Sequence, residues 1–557
     1  METASNALSH IRKESLDIYN RLHSIKEDVE FVNQVHETYA DVPLLPNLRC
    51  GAWYTDPTIS TDIPAYFKST DGHYGNWSFN LRRSNLHLLA FLEQKRGLIL
   101  VDSTRSGKRI PDALSKTVPI WCAVINRALV KRYPELHSPP SSSEGAHSWD
   151  TSLYTPPSVV PSQEHNSILA KLDGWAEALA NSSFDLPKLP YPLRPIWITP
   201  SMSTFPPITL PPPPTDNHAQ ANGVPRFIPI ICVSASKQVQ DGTERRAGGF
   251  SYIQGSGDDH ELWGMGLTPE LFWSHKDELL SSSRSDLPEI VEDIVSSASS
   301  AKKPSPLDSS RRSSSPTSPS SVRPLSKKRR PTPVVKVGGR IWIGKVDDVE
   351  GELLKDPHGS AGGRARAYIV IHEGSEDEEG TMIESIEASS IQASTNSPAS
   401  ATPSASSKQV QPTHILSLPI PSSSKSKPLT QQYFLHTILP RSLPFMDRYL
   451  RKGWDVCIVC PTGKDLSVGV GLVGVGVLFD DQGALKVPNG GEGDDGDPGP
   501  SEETEWTRIL ERATLTKKDI KTRLEWIIAS RPEANPARAT LKRVNEFLFT
   551  PREYWER

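Results

Sequence analysis

Asp455-Val-Cys-Ile-Val-Cys-Pro-Thr-Gly-Lys-Asp-Leu-Ser467 joins a short apolar strand to a loop of small and polar residues, and a glycine-laced apolar run, Val468 to Phe479, follows it. Strand, loop and helix in that order form the repeating unit of an α/β sheet. Amides of such a loop converge on an anion. A helix amino terminus adds about half a positive charge, so a phosphate is stabilised there without a charged side chain. A second segment has the same plan: Leu98-Ile-Leu-Val-Asp102 runs into Ser103-Thr-Arg-Ser-Gly-Lys-Arg109.

Outward from these loops the chain divides into two α/β domains. Residues 1–280 mix short apolar strands, such as Phe227 to Val233, with helical stretches at Ser5 to Tyr39 and Val118 to Lys131. Ser138 to Ser162 and Pro211 to Pro214 interrupt this domain as surface insertions. Residues 281–333 are rich in Ser, Pro and Arg and read as a disordered basic linker, too poor in apolar side chains to form a core. The second domain, 334–557, offers strands at Arg340–Lys345, Ala367–Ile371, His414–Leu418 and Asp455–Val459. A helix capped by Ser442, with Pro444 in its first turn and Gly453 past its end, precedes the last strand. Helices at Lys517–Ser530 and Ala537–Phe547 close the chain, and disordered insertions fall near 374–411 and 489–505.

Fifty prolines and 36% apolar residues are what a chain with such a linker and insertions requires. The formal charge of -4 conceals two basic stretches. Asn80 to Arg132 carries eleven Lys/Arg against three acids, and Trp506 to Arg557 twelve against seven, which suits a polyanionic partner. Five scattered cysteines argue against a secreted disulfide framework and point to a reducing compartment, the cytoplasm, with Lys327-Lys-Arg-Arg330 as a candidate nuclear import signal. The opening METASNALSH lacks the basic and apolar blocks of a signal peptide, and no membrane span is expected.

Each loop carries its own chemistry. In the first domain Ser103, Thr104 and Ser106 supply hydroxyls, Arg105, Lys108 and Arg109 positive charge, and Gly107 close backbone approach. Asp102 adds a carboxylate able to hold a metal ion that bridges a phosphate or diphosphate. In the second domain Cys460, Thr462, Gly463, Lys464, Leu466 and Ser467 resemble the anion loop of the dual-specificity (cysteine-loop) phosphatases. That family places an arginine six residues after its nucleophilic cysteine; here the position holds Leu466, which has no bidentate grip on a phosphoryl group. The preceding loop, Pro421 to Pro428, holds no carboxylate to serve as general acid. The resemblance therefore implies a phosphatase-like scaffold kept for binding phosphate, with Cys460 structural.

His73-Tyr-Gly-Asn-Trp-Ser-Phe-Asn-Leu-Arg-Arg83 and Glu244 to Trp263 mix aromatics, amides and charges, as stacking on bases and hydrogen bonding to ribose require. His73, Trp77, Asn80, Arg82, Arg83, Arg245, Arg246 and His260, with Arg538 near the end, are the candidate RNA contacts. Asp258 and Asp259 can accept a proton from a hydroxyl or hold a divalent ion. Spacing alone fixes no metal site, since the lone Cys457-x-x-Cys460 lacks a second pair of ligands.

Asn76-Trp-Ser-Phe-Asn-Leu-Arg-Arg83, Val101 to Arg109, Pro111 to Trp121, Ile231 to Ser236, Asp258 to Glu261, Leu267 to Trp273, Pro461 to Ser467 and Asn535 to Leu541 occur in this order on one chain. Together they resemble the initiator tRNA 2'-O-ribosyl phosphate transferase family across both domains. The resemblance implies transfer of 5-phosphoribosyl from phosphoribosyl pyrophosphate, with Mg2+, to the 2'-hydroxyl of a T-stem purine of initiator methionine tRNA, which excludes that tRNA from elongation. Such a reaction needs a clamp on diphosphate, a grip on the 5'-phosphate and a group that orients the attacking hydroxyl. Asp102, Asp258, Asp259 and Asp465 are the carboxylates to test, and either loop suits either anion. A non-catalytic tRNA-binding adaptor and a phosphatase of RNA or nucleotides are the competing readings.

Overall fold

The computed structural model describes residues 13–48, 50–105, 107–137, 149–212, 227–300, 330–349, 364–374, 414–420, 427–486, 502–511 and 513–550. The chain forms two compact units, Met1–Pro319 and Ser320–Arg557.

In the first unit, α1 (Ile18–Thr38) begins where the Asp17 carboxylate accepts the Asn20 amide at 3.0 Å. Its buried Leu22, Ile25, Val29, Val32 and Val35 form one apolar stripe against a sheet. The sheet is wholly parallel, built from β1 (Leu44–Pro46), β2 (Leu98–Asp102), β3 (Leu193–Ile198) and β4 (Ile228–Ser234) in the order β1-β2-β4-β3. Helix α2 (His87–Lys95) connects β1 to β2, and α3 (Val118–Arg132), α4 (Ser162–Leu169) and α5 (Leu172–Ala180) lie between β2 and β3. Every residue of β2 and β4 is buried because both faces are covered. Ile99, Val101, Ile231 and Val233 share the α1 core, while the alternate residue Cys232 adjoins Cys122 of α3.

After β2 the chain leaves toward α3; after β4 it leaves toward the hairpin of β5 (Thr243–Arg245) and β6 (Ser251–Ile253), which rests on α1. Neighbouring parallel strands whose successors depart to opposite faces open a crevice at their carboxyl ends. Helices α6 (Pro269–Ser274), α7 (Lys276–Ser281) and α8 (Leu287–Ser300) complete the unit. Helix α8 falls inside the stretch read as linker. Its Leu287, Val291 and Ile294 are buried in the α1 core, so three apolar residues at helical spacing dock a helix that composition alone does not favour. The candidate import residues Lys327 to Arg329, and nearly all of both expected insertions, lie outside the described residues.

The second unit holds β7 (Thr332–Pro333), β8 (Ile341–Lys345), β9 (Arg366–Glu373), β10 (Ile415–Ile420) and β11 (Asp455–Cys460) in the order β10-β9-β11-β8-β7, parallel except for the edge strand β7. Around it stand α9 (Lys427–Tyr433), α10 (Leu439–Arg451), α11 (Leu466–Leu478), α12 (Glu502–Glu511), α13 (Lys517–Ser530) and α14 (Arg538–Phe549). Helix α11 is buried from Ser467 to Leu478 and apolar on all sides. Its glycines let neighbours approach, since a methyl group at Gly474 would meet Met446 Sδ at 2.6 Å.

Ser442 and Pro444 lie inside α10, not at its start, and Ser442 is buried. The helix is entered through a wide π turn, Phe434–Ile438, and α3 of the first unit is likewise entered through Ala113–Thr117. Both helices carry proline at their second residue, Pro440 and Pro119, where the missing N–H and the ring's bulk disfavour a normal α turn.

Candidate functional site

The carboxyl end of β2 is built downward as well as outward. Asp102 is fully buried, and its carboxylate accepts from Asn47 Nδ2 at 2.9 Å, from the Cys50 thiol at 2.8 Å and from the Ser103 amide at 2.9 Å. It therefore fastens β2 to the segment after β1 and is not presented to a ligand or a metal ion. Ser103 is buried too, with its hydroxyl 2.6 Å from that of Ser236, which donates to Asp28 of α1 at 2.6 Å. Tyr252 donates to the other oxygen of Asp28 at 2.6 Å. Burial pushes the Asp28 carboxyl well above its usual range, further than these hydrogen bonds bring it down.

Beyond this foundation lies a cleft of about 400 Å³. Thr104, Arg105 and Lys108 form one wall, Tyr66, Lys68, Ser69, Thr70 and His73 another, and Asp112 and Asp258 complete it. The loop's Gly107 has φ +87, a conformation that suits glycine. Lys108 bonds Asp112 at 2.5 Å, and the buried Lys116 bonds Asp112 at 2.9 Å and Glu164 at 3.1 Å. Burial pushes the Asp112 carboxyl up, but Lys108 and Lys116 outweigh it and hold the group below the usual carboxylate range. Arg105 pairs with Asp259, which takes a left-handed φ of +48 beside the buried Asp258. Arg105, Lys108 and Lys68 thus converge with hydroxyls on one concave space, an arrangement that binds phosphate groups.

The sequence candidates separate accordingly. Thr104, Arg105, Lys108, His73 and Asp258 line the cleft, with Asp259 paired to Arg105. Ser106 lies outside the described residues. Arg109 is drawn to Ser201 at 2.6 Å and does not line the cleft. Trp77 is buried, donating to Glu164 at 3.0 Å, so it anchors its loop and offers no face to a base. Arg83 reaches both oxygens of Asp71 at 3.1 Å, Asn80 caps the Arg82 amide, and Arg246 is shared between Glu27 and Glu244. The Arg83 and Arg246 guanidiniums and the Asn80 side-chain oxygen are thus engaged within the fold. His260 packs near Trp53, with ring centroids 5.6 Å apart; Arg245 and Arg538 are exposed. The sequence reading missed Tyr66, Lys68, Ser69, Thr70 and Asp112. Only Asp112 carried a signal: a carboxylate four residues from both Lys108 and Lys116.

In the second unit the loop after β11 closes on sulfur. Cys460 is buried; the Gly463 amide donates to its Sγ at 3.2 Å, and Ser467 Oγ lies 3.1 Å away. Burial pushes the thiol up, but the donors of Ser467, Thr462 and Gly463 outweigh it and bring Cys460 below the ordinary thiol value. A sulfur assigned a structural part by sequence is thus surrounded by groups that stabilise thiolate. Arg531 stands behind the loop, with its guanidinium donating to the carbonyls of Gly463 at 2.9 Å and Ile343 at 3.2 Å. It braces the loop and does not replace the arginine absent at Leu466. Asp465 accepts the Ala537 amide at 2.9 Å, a link to α14, and Lys464 contributes its carbonyl to the Asn535 amide.

Residues 11–296, more than half of the chain, match the model described as the Rit1 N-terminal domain, and 414–548 match the Rit1 DUSP-like domain. The chain belongs to the Rit1 family. A Rit1 relative from Saccharomyces cerevisiae, tRNA A64-2'-O-ribosylphosphate transferase, is 40% identical over 297 residues, covering 50% of this chain and 53% of that protein. An uncharacterized protein of Schizosaccharomyces pombe is 39% identical over 296 residues, covering 52% of this chain and 59% of its own. The matched region spans little more than half the length of either relative. Among the described residues no helix is long and apolar enough to cross a membrane, and the five cysteines of this Rit1 chain are buried thiols outside any disulfide.

Proposed function

We propose that this chain transfers 5-phosphoribosyl from phosphoribosyl pyrophosphate to a 2'-hydroxyl of initiator methionine tRNA at position 64, with the donor held in the first-unit cleft. The observation that carries the reading is the convergence of Thr104, Arg105, Lys108 and Lys68 with Asp258 in one space at the carboxyl end of β2. In the reaction the ribose C1'–O bond to diphosphate breaks and a bond from the RNA 2'-oxygen to C1' forms. Charge grows on the departing diphosphate, where Arg105 and Lys108 stabilise it as their pairings with Asp259 and Asp112 yield to the stronger anion. Asp258, which lines the same cleft, is the carboxylate we assign to accept the proton of the attacking hydroxyl.

Among the described residues no three His, Cys, Asp or Glu side chains gather to hold a metal ion. Magnesium is proposed to arrive with the donor, as the counter-ion of its diphosphate. The second unit we read as a phosphatase-like scaffold, supported by its strand, cysteine loop and helix and by its resemblance to a DUSP-like domain. With leucine at 466 and Arg531 committed to carbonyls, phosphatase turnover is not expected of it. The cytoplasm, where initiator tRNA and donor meet, is the proposed compartment.

The test is incubation with initiator tRNA, labelled phosphoribosyl pyrophosphate and magnesium, followed by mass analysis of nuclease fragments. A donor-dependent adduct lost in Arg105→Ala supports the reading. tRNA binding without any adduct would falsify it in favour of an adaptor.

A further inference from the structure

We propose that Tyr74 is a stacking platform for a nucleobase of the acceptor RNA at the rim of the first-unit cleft, an inference that rests on the transferase reading above. A single exposed aromatic needs no explanation by itself. Its position supplies one. His73 to Asn76 form a tight turn, closed by the Asn76 amide donating to the His73 carbonyl at 2.9 Å, with Gly75 at φ +75. His73, the first residue of the turn, lines the cleft, and Tyr74, the next, is 73% exposed. The ring therefore stands one residue from the space that would hold the donor's phosphates.

The turn is held from below. Trp77 meets Tyr74 edge-to-face with ring centroids 5.4 Å apart, and its indole N–H is fixed on Glu164 at 3.0 Å. Glu164 is itself bound by the buried Lys116 at 3.1 Å. The Lys171 ammonium lies 5.2 Å from the Trp77 ring centre, placing an exposed cation against the same aromatic pair. An aromatic face held on an anchored turn loses little freedom on binding, and with a cation-lined cleft at the neighbouring residue and a lysine against its anchoring tryptophan it suits a base whose flanking backbone is charged. The two tryptophan and tyrosine roles are thus divided: Trp77 is the buried anchor, and Tyr74 presents the free face.

The experiment measures binding of an initiator methionine tRNA transcript to the full chain without donor, over a range of salt. Tyr74→Ala is expected to weaken binding about tenfold, in line with base–aromatic stacking elsewhere, while Tyr74→Phe and Tyr74→Trp stay within about twofold of the parent. The salt dependence of Tyr74→Ala stays that of the parent, because no cation has been removed. Unchanged binding in Tyr74→Ala, or a loss in Tyr74→Phe as large as in Tyr74→Ala, overturns the platform. If binding depends on Tyr74 but no adduct ever forms, the transferase reading falls and the platform stands. If the adduct forms and Tyr74→Ala binds and reacts like the parent, the platform alone falls. A chain that binds no tRNA at all sinks both.

Discussion

The loops after β2 and β11 leave parallel strands alike, yet they dispose their polar groups differently. The first turns cationic side chains outward onto an open cleft; the second turns its donors inward onto the sulfur of Cys460. A small glycine- and hydroxyl-rich loop at a strand end is therefore compatible with two designs. What separates them is what stands behind the loop: a hydroxyl and carboxyl network of Ser103, Ser236 and Asp28 in one case, and the guanidinium of Arg531 in the other.

The largest effects that bear on this contrast are kinetic. Removing Arg105 or Lys108 to alanine is expected to lower the rate of adduct formation by about a hundredfold, the usual loss when a group stabilising transition-state charge is deleted. Lys464→Ala should change it by less than about threefold. Equal losses in single-turnover assays would erase the proposed division between the loops.

Next in size is a comparison of glycines. Gly463 has φ +64, and a methyl group there would meet the Arg531 guanidinium, the Gly344 carbonyl carbon and the Lys345 amide nitrogen, each at 2.9 Å. Gly107 has φ +87 with nothing within 4 Å of the same methyl. Gly463→Ala should cost about 3 kcal/mol in denaturant unfolding, backbone strain and crowding together, and Gly107→Ala about 1 kcal/mol, from backbone strain alone. Similar costs at the two sites would show that the first loop is as tightly enclosed as the second.

The networks behind the loops differ in pH response. Because the folded Asp28 carboxyl is raised, its contribution is fully present below the ordinary value of 3.8 and is lost as the pH rises through the raised folded value. Asp28→Asn, neutral throughout, should flatten the stability profile of the first unit in melts followed from acid to alkaline pH. A profile unchanged by the substitution would mean that the acid is ionised in its buried site. Smallest is Ser467→Ala, which removes a donor near sulfur and should raise the thiol pKa of Cys460, read by thiolate absorbance against pH, with little change in adduct formation.

Much of the fold was legible because its signals are local. The buried strands hold unbroken apolar runs at 98–101, 228–233 and 456–460, and helix Lys517–Ser530 carries its own capping box from Thr516 and Asp519. Helix α8 was hidden because its docking depends on α1, some 250 residues earlier in the chain, and not on its own serine-rich composition. Of the site, Arg105, Lys108, His73 and Asp258 were visible as residue types able to bind phosphate or move a proton, while Lys68 and Tyr66 sit in stretches with no pattern.

By itself, then, the sequence determined two α/β units, their phosphate-type loops and the family, because apolar periodicity, turn chemistry and long motif strings are written in neighbouring residues. Which polar groups are free to act was decided only in three dimensions. Asp102, Trp77 and Arg246 carry the same kinds of functional group as the residues that line the cleft, but partners distant in sequence, Asn47, Glu164 and Glu27, hold them inside the fold. A side chain whose donors and acceptors are already satisfied inside the fold has little left to offer a ligand.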